Sequence, residues 1–493
     1  MSTRHQAAFA AVSLPPVPSR QAVRSAAKRA VDVTQLTLVR DPLRMLVFLL
    51  TIVTISRVHL HYPILAKLRP VLLLTALAWG YAFLHPKSLT RANVFAVWPI
   101  RLVLTIVVIA TLTAPFGISL GNSALFIIDS FSKTIAYALL IALSVRHVRD
   151  LYTAVWAFVL SCAILAFFAV FVFKLLPGDN DTARLAELYT YDSNDLGVIL
   201  MIGLPLTLLL LFVDHGIKRW VLAGTLIGIS AAMARSGSCG GFLGFIAVSL
   251  ASLFLVKSVS AGKRATVLVV AALVLAFAAP SGYWRQMGTI TSLKSDYNYQ
   301  SVDGRHALIQ RGIRYMTDRP FSGIGIWNFS KAECSISPKI GRMVRNEAVK
   351  CVAPHNSFLQ AGAELGLPGL IVWVTLVFSL VVGPLRLRRR LPPWWREGNP
   401  TERFLYAATS FFPIAMCGFA VTAFFVTFAF TDPLYVMAAF TTGLYLVTKA
   451  YLRESSNAPV SIPPTAVRNP KGWRVSLSTQ RFIAAAADRR REM

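Results

Sequence analysis

The stretch APHNSFLQAGAELGLPGL, residues 353–370, sets His355 and Asn356 at the mouth of an apolar segment and Glu364 within it. Polar side chains in such a segment cost free energy, so they either plug a structural gap or do chemistry. The chemistry open to His355 is proton transfer, because an imidazole with an unperturbed pKa of about 6.5 accepts a hydroxyl proton at neutral pH. The residues alone leave a second reading, a histidine at a helix mouth bonded to backbone. Asn356 is expected to position or cap rather than react. Glu364 stands nine residues beyond His355, about 13 Å along a helix and too far to act on the same atom, so it is expected to brace the core.

A second constellation lies upstream. Residues 281–354 form a long hydrophilic insertion with eleven Lys and Arg against five Asp and Glu, a basic excess of six. Long loops cross a membrane whatever their charge; the alternative reason for the excess is an anion held at the membrane surface, such as a lipid diphosphate. Guanidinium groups suit that anion because they offer paired donors to its oxygens, and enough of them make a metal unnecessary. Within the insertion, DGRHALIQRGIRYMTDRP sets Leu308 or Ile309, Ile313 and Met316 at helical spacing, with Arg305, Arg311 and Arg314 around the rest of the helix. This helix is expected to lie on the bilayer rim and to end near Arg319, before Pro320. A surface helix with solvated arginines explains the same spacing. Of five cysteines only Cys334 and Cys351 fall in the insertion, where they either pair or stand as two small residues. No His, Asp or Glu cluster there has metal-ligand spacing, and no cofactor is expected.

These residues need elements to position them, and the composition says which. Of 493 residues 55% are hydrophobic and only 15% charged, with a mean hydropathy of +0.58. Such a chain is an all-α polytopic membrane protein. Apolar runs near 45–62, 70–84, 96–118, 122–144, 151–176, 195–213, 220–236, 240–256, 265–280, 356–383, 404–430 and 432–449 give about twelve transmembrane helices. The basic connections HPKSLTR, VRHVRD, DHGIKR, KSVSAGKR and RLRRRLPPWWR fall on one side if both tails are cytoplasmic, which puts 281–354 outside. The first hairpin fits less well, since Arg57, Lys67 and Arg69 land on the outer side. The chain therefore divides into a disordered basic tail 1–44 with no signal peptide, nine helices over 45–280, the extracytoplasmic loop 281–354, three helices over 355–450 and a basic cytoplasmic tail 451–493. The net charge of +28 is spread over tails and inner loops, where lipid headgroups explain it, so no nucleic acid is expected. Asp129 and Lys133 are placed to neutralise each other one turn apart, and Asp192, Asn194 and Asp195 to cap a helix.

Four segments in order carry a resemblance: DSNDLGVILMIGLPL, the glycine-rich SGSCGGFLGF, GRHALIQRGIRYMTDRPFSGIGIWNF and PHNSFLQAGAELGLPGLIVW. Together, over roughly residues 190–380, they resemble the O-antigen ligase family, which includes polysaccharide polymerases of exopolysaccharide and O-antigen. The resemblance implies a metal-independent glycosyltransferase of the C-type membrane superfold on the periplasmic face of the bacterial inner membrane. Its donor would be an oligosaccharide on undecaprenyl diphosphate, and its acceptor a second glycan or a lipid A core sugar. Other polysaccharide assembly proteins count among the implied partners. The family's catalytic histidine matches His355 and its loop arginine Arg305, with Arg311, Arg314 and Asn356 expected at the substrate. A further family arginine falls where this chain has Cys239, so Arg235, four residues earlier, is expected to fill that place if residues 235–239 are helical, and to point away if Ser236 and Gly237 open a turn. A multi-helix transporter of polysaccharide or lipid-linked glycan is the alternative, but its signature is two similar halves, and neither the basic loop nor the His355 segment has a counterpart in the first half.

Overall fold

Every apolar run marked in the sequence forms a helix. The computed structural model describes residues 36–177, 183–185, 191–256, 260–291, 304–338 and 351–457. The basic tails expected over 1–44 and 451–493 lie outside these residues except for 36–44 and 451–457. The same holds for Lys294, Asp296, Asp303, Lys339, Arg342, Arg345, Glu347 and Lys350 of the insertion. In chain order the helices are α1 Pro42–Ser56, α2 Pro70–Leu84, α3 Trp98–Thr113, α4 Leu120–Ser144, α5 Val148–Val172, α6 Ser193–Val213, α7 Ile217–Ser236, α8 Cys239–Leu255 and α9 Ala261–Ala278. The insertion contributes α10 Tyr283–Gly288, α11 Arg305–Asp318 and α12 Phe329–Ser335, and the chain then runs through α13 Ser357–Arg388, α14 Pro400–Thr422 and α15 Asp432–Asn457. Eight of these helices are long and apolar enough to cross a membrane, and α1, α2 and α8 are shorter apolar helices. α15 closes the bundle against α3, α4 and α5. A two-stranded antiparallel pair, Leu175–Pro177 with Ala183–Leu185, is the one sheet among the described residues.

The helices start where the sequence supplies acceptors for their unpaired first N–H groups. Asp192 accepts from Asn194 and Asp195 while the Asp195 carboxylate accepts from the Asp192 N–H, which realises the cap expected there. Buried on nearly all sides, α6 packs against α5, α7, α8 and α14. The glycines of SGSCGGFLGF allow α8 to approach its neighbours closely. A Cβ on Gly240 would come 2.6 Å from Phe425, and one on Gly244 2.5 Å from Thr422. The α13 helix kinks at Gly366, where φ is +69°. The opened turn leaves the Ala363 and Glu364 carbonyls to accept from Ile324 and Gly325 at 2.9 and 3.0 Å.

The insertion is folded onto this kink. Leu308, Tyr315, Ile324, Phe329, Ala332 and Ala363 form a second apolar cluster. α11 ends at Asp318, as expected before Pro320, and packs on the protein through a face beside the apolar one marked in the sequence. Leu308, Gly312 and Tyr315 are buried, whereas Ile309 and Ile313 remain 38% and 46% exposed. The reason is Gly312, which admits Leu359 of α13 where a Cβ would meet it at 2.6 Å.

Candidate active site

His355 precedes α13 and has a left-handed backbone, φ +45°. A side chain with a Cβ pays about 1–2 kcal/mol there, so the surroundings must enforce it. Its N–H donates to Thr427 Oγ1 at 3.1 Å, and next to it Asn356 caps α13 by accepting from the Leu359 N–H at 3.0 Å. Thr427 lies in an unwound stretch between α14 and α15. Backbone without helical partners is tolerated inside a membrane protein only where protein groups satisfy it, and α13 supplies them. Ser357 donates to the Val426 carbonyl at 2.8 Å and accepts from the Phe428 N–H at 2.9 Å, Gln360 accepts from Ala429 at 3.1 Å, and Trp373 donates to the Ala429 carbonyl at 2.9 Å. The unwound stretch and the helix mouth thus hold each other, and His355 with them.

Three effects set the charge of the imidazole. Burial lowers its pKa first, the Asp192 carboxylate raises it, and the Arg305 guanidinium lowers it. The net direction is downward, which keeps the ring neutral and ready to take a proton at neutral pH. Arg305, the first residue of α11, lies with its guanidinium 5.4 Å from the Phe425 ring centroid. His355 is thus within electrostatic reach of both Arg305 and Asp192.

The other arginines are engaged elsewhere. Arg311 holds the buried Glu333 with two donors, at 2.8 and 2.9 Å, and Tyr315 donates to the same carboxylate at 3.0 Å. Arg314 is exposed with Asp318 at 3.6 Å. Both line a separate cavity of about 490 Å³ together with Arg319. Arg235 donates to the carbonyls of Ala169 and Phe173 at 3.0 and 3.4 Å, at the π-helical end of α5. Gly237, φ +60°, breaks α7, and Ser238 begins α8, so Arg235 and Cys239 do not share a helix face. Of the two arrangements open in the sequence, the structure takes the turn. Cys239 Sγ instead lies 3.6 Å from the Gln286 carbonyl.

The bracing residues stand where expected. The buried Glu364 carboxylate accepts from the N–H groups of Trp327 at 2.7 Å and Phe329 at 3.3 Å, which ties α13 to the start of α12. Cys334 and Cys351 are disulfide-bonded, Cα atoms 5.3 Å apart, joining α12 to the strand that enters His355. Asp129 and Lys133 pair at 2.6 Å.

Sequence reasoning missed Thr427, the link from Asp192 to His355, and Arg57, whose guanidinium lies 3.7 Å from the Tyr191 ring centroid beside Asp192. A signal for Arg57 existed, since the basic pattern of the sequence sets it among the few cations on the expected outer side. Among the described residues no three His, Cys, Asp or Glu side chains are grouped to hold a metal ion.

Residues 223–374, from α7 to the middle of α13, match the family model described as O-antigen ligase. No curated protein matches the chain.

Proposed function

We propose that this chain, whose residues 223–374 match the family model described as O-antigen ligase, is a member of that family and a metal-independent glycosyltransferase that moves a glycan from undecaprenyl diphosphate to an acceptor sugar. The observation that carries the reading is His355, fixed in a left-handed conformation by Thr427 with Arg305 and Asp192 beside it. The acceptor hydroxyl gives its proton to the neutral imidazole as its oxygen bonds to the anomeric carbon. The bond from that carbon to the diphosphate breaks, and the leaving oxygens keep the electron pair. Arg305 stabilises this developing charge with paired donors. Arg314, exposed on the same helix, and Asn356 at the mouth of α13 are proposed to contact substrate. For Arg235 and Arg311 a structural share is proposed as well, because carbonyls and Glu333 hold their head groups.

We place the site on the periplasmic face of the bacterial inner membrane. Two observations support this. The Cys334–Cys351 bond lies on the His355 side and fits an oxidising compartment. The basic connections, by contrast, gather at the other ends of the helices, where Arg388 and Arg403 donate to the carbonyls of Leu255 and Phe212. The acceptor is a second lipid-linked chain or a lipid A core sugar. The test is the purified full-length chain in liposomes with its host's lipid-diphosphate-linked glycan. Glycan transfer that persists in a chelator supports the proposal, and a strict divalent-ion requirement or the absence of transfer contradicts it.

A further inference from the structure

A cavity of about 360 Å³ opens among α1, α2, α4, the start of α15 and Trp327, largely outside the segment matched by the family. Two chain segments connect its walls to residues around His355. Phe430, Thr431 and Asp432 line it just beyond Thr427, and Arg57 lines it while stacking over Tyr191, the neighbour of Asp192.

Its walls have the features of a sugar site. Trp327 presents an aromatic surface, stacked on Phe126 with centroids 4.3 Å apart and planes 3° from parallel. Polar bonds fix that ring from both backbone groups: its N–H donates to Glu364 at 2.7 Å, and its carbonyl accepts from Asn122 at 2.8 Å. They hold the residue at φ +62°, an uncommon backbone for a bulky side chain. Aromatic faces are electron-rich and attract the polarised C–H face of a pyranose ring. Hydroxyls from α1 and α4 complete the lining, Thr54 and Tyr137 among them. Thr54 is 9% exposed, and its Oγ1 has no hydrogen-bond partner among the described residues. A buried hydroxyl of this kind is costly unless a ligand or solvent group meets it.

Of the two lysine and arginine side chains in the lining, Lys133 is held at 2.6 Å by Asp129, which lies outside it, and Arg57 shares the lining with the Asp432 carboxyl. His59 also lines the cavity. Such a lining favours an uncharged ligand over a phosphate or a uronate. The volume lies near the lower end of small-ligand pockets, about 300–1,000 Å³, as suits one or two sugar rings.

We propose that this cavity is the subsite for an uncharged hexopyranose unit of the acceptor glycan, seating it so that its hydroxyl reaches His355. The assignment of the sugar to the acceptor rests on the transfer reading above. The test uses the full-length protein in nanodiscs and saturation-transfer NMR with methyl glucoside, galactoside and mannoside against methyl glucuronide. Two variants are compared with wild type. Thr54→Val removes a buried unpartnered hydroxyl at constant shape and so preserves folding. Trp327→Gly removes the ring at a backbone angle that glycine adopts freely. At least one neutral glycoside is expected to show saturation, and roughly fivefold less with either variant. No saturation, wild-type saturation in either variant, or preference for the glucuronide overturns the proposal. This readout needs no turnover, so its failure is distinct from failure of the transfer reading. In transfer assays Thr54→Val is expected to raise the acceptor KM roughly tenfold and leave the donor KM unchanged. A rise in the donor KM instead overturns the acceptor assignment.

Discussion

His355 combines a strained backbone with a tuned side chain, and each can be tested separately. The proposed base must be unprotonated to act, so activity is expected to fall as pH drops through the pKa of His355, which burial and Arg305 hold below the ordinary histidine value. The sign of each neighbour follows from its charge. Asp192→Asn, which keeps a capping side chain, removes an anion and is expected to move the midpoint further down. Arg305→Gln removes a cation and is expected to move it up, read from the residual rate or from the imidazole NMR titration. Shifts in one direction for both variants would contradict the electrostatic assignment. The histidine itself was legible in the sequence as a polar residue at the mouth of an apolar run. Its hold on Thr427 was not, because FFVTFAFTD reads as one continuous apolar stretch. The break there depends on Ser357, Gln360 and Trp373, contributed from 56 to 69 positions away.

At the scale of elements, the insertion depends on two tethers to α13 and its lead-in. Glu364→Ala leaves two buried N–H groups, those of Trp327 and Phe329, without their acceptor. A loss of about 3 kcal/mol is expected, with Glu364→Gln losing less because one oxygen remains; thermal unfolding of both variants checks the order. The disulfide spans 17 positions, so its removal by Cys334→Ser with Cys351→Ser is expected to cost about 3 kcal/mol on chain-entropy grounds. Mass spectrometry of the unreduced peptide should find the two cysteines linked, and free thiols on both in protein from an oxidising compartment would contradict the pairing. The end of α11 before Pro320 was visible from the position of the proline. The partner of Arg311 was not, because Glu333 lies 22 residues away on another helix. Arg235 likewise turns to carbonyls that a π-helical turn of α5 presents, and helical spacing carries no trace of that turn.

For the whole molecule, hydropathy alone located the eight helices that, among the described residues, are long and apolar enough to cross a membrane, together with the shorter α1, α2 and α8. It did not show how the ends of α6, α13 and α14 converge, because that depends on close contacts at glycines such as Gly240 and on an unwound stretch that α13 sustains. A transporter built on the same helices would carry glycan across the membrane and form no new glycosidic bond, whereas a transferase has product to measure. The most direct test is therefore the single-turnover rate of glycan transfer by His355→Asn beside the wild-type protein. Asparagine accepts the left-handed backbone, so the change removes the base and spares the fold. The rate is expected to fall by roughly 10²–10⁴ at an unchanged unfolding temperature, and transfer at the wild-type rate would contradict the assignment of His355 as the base.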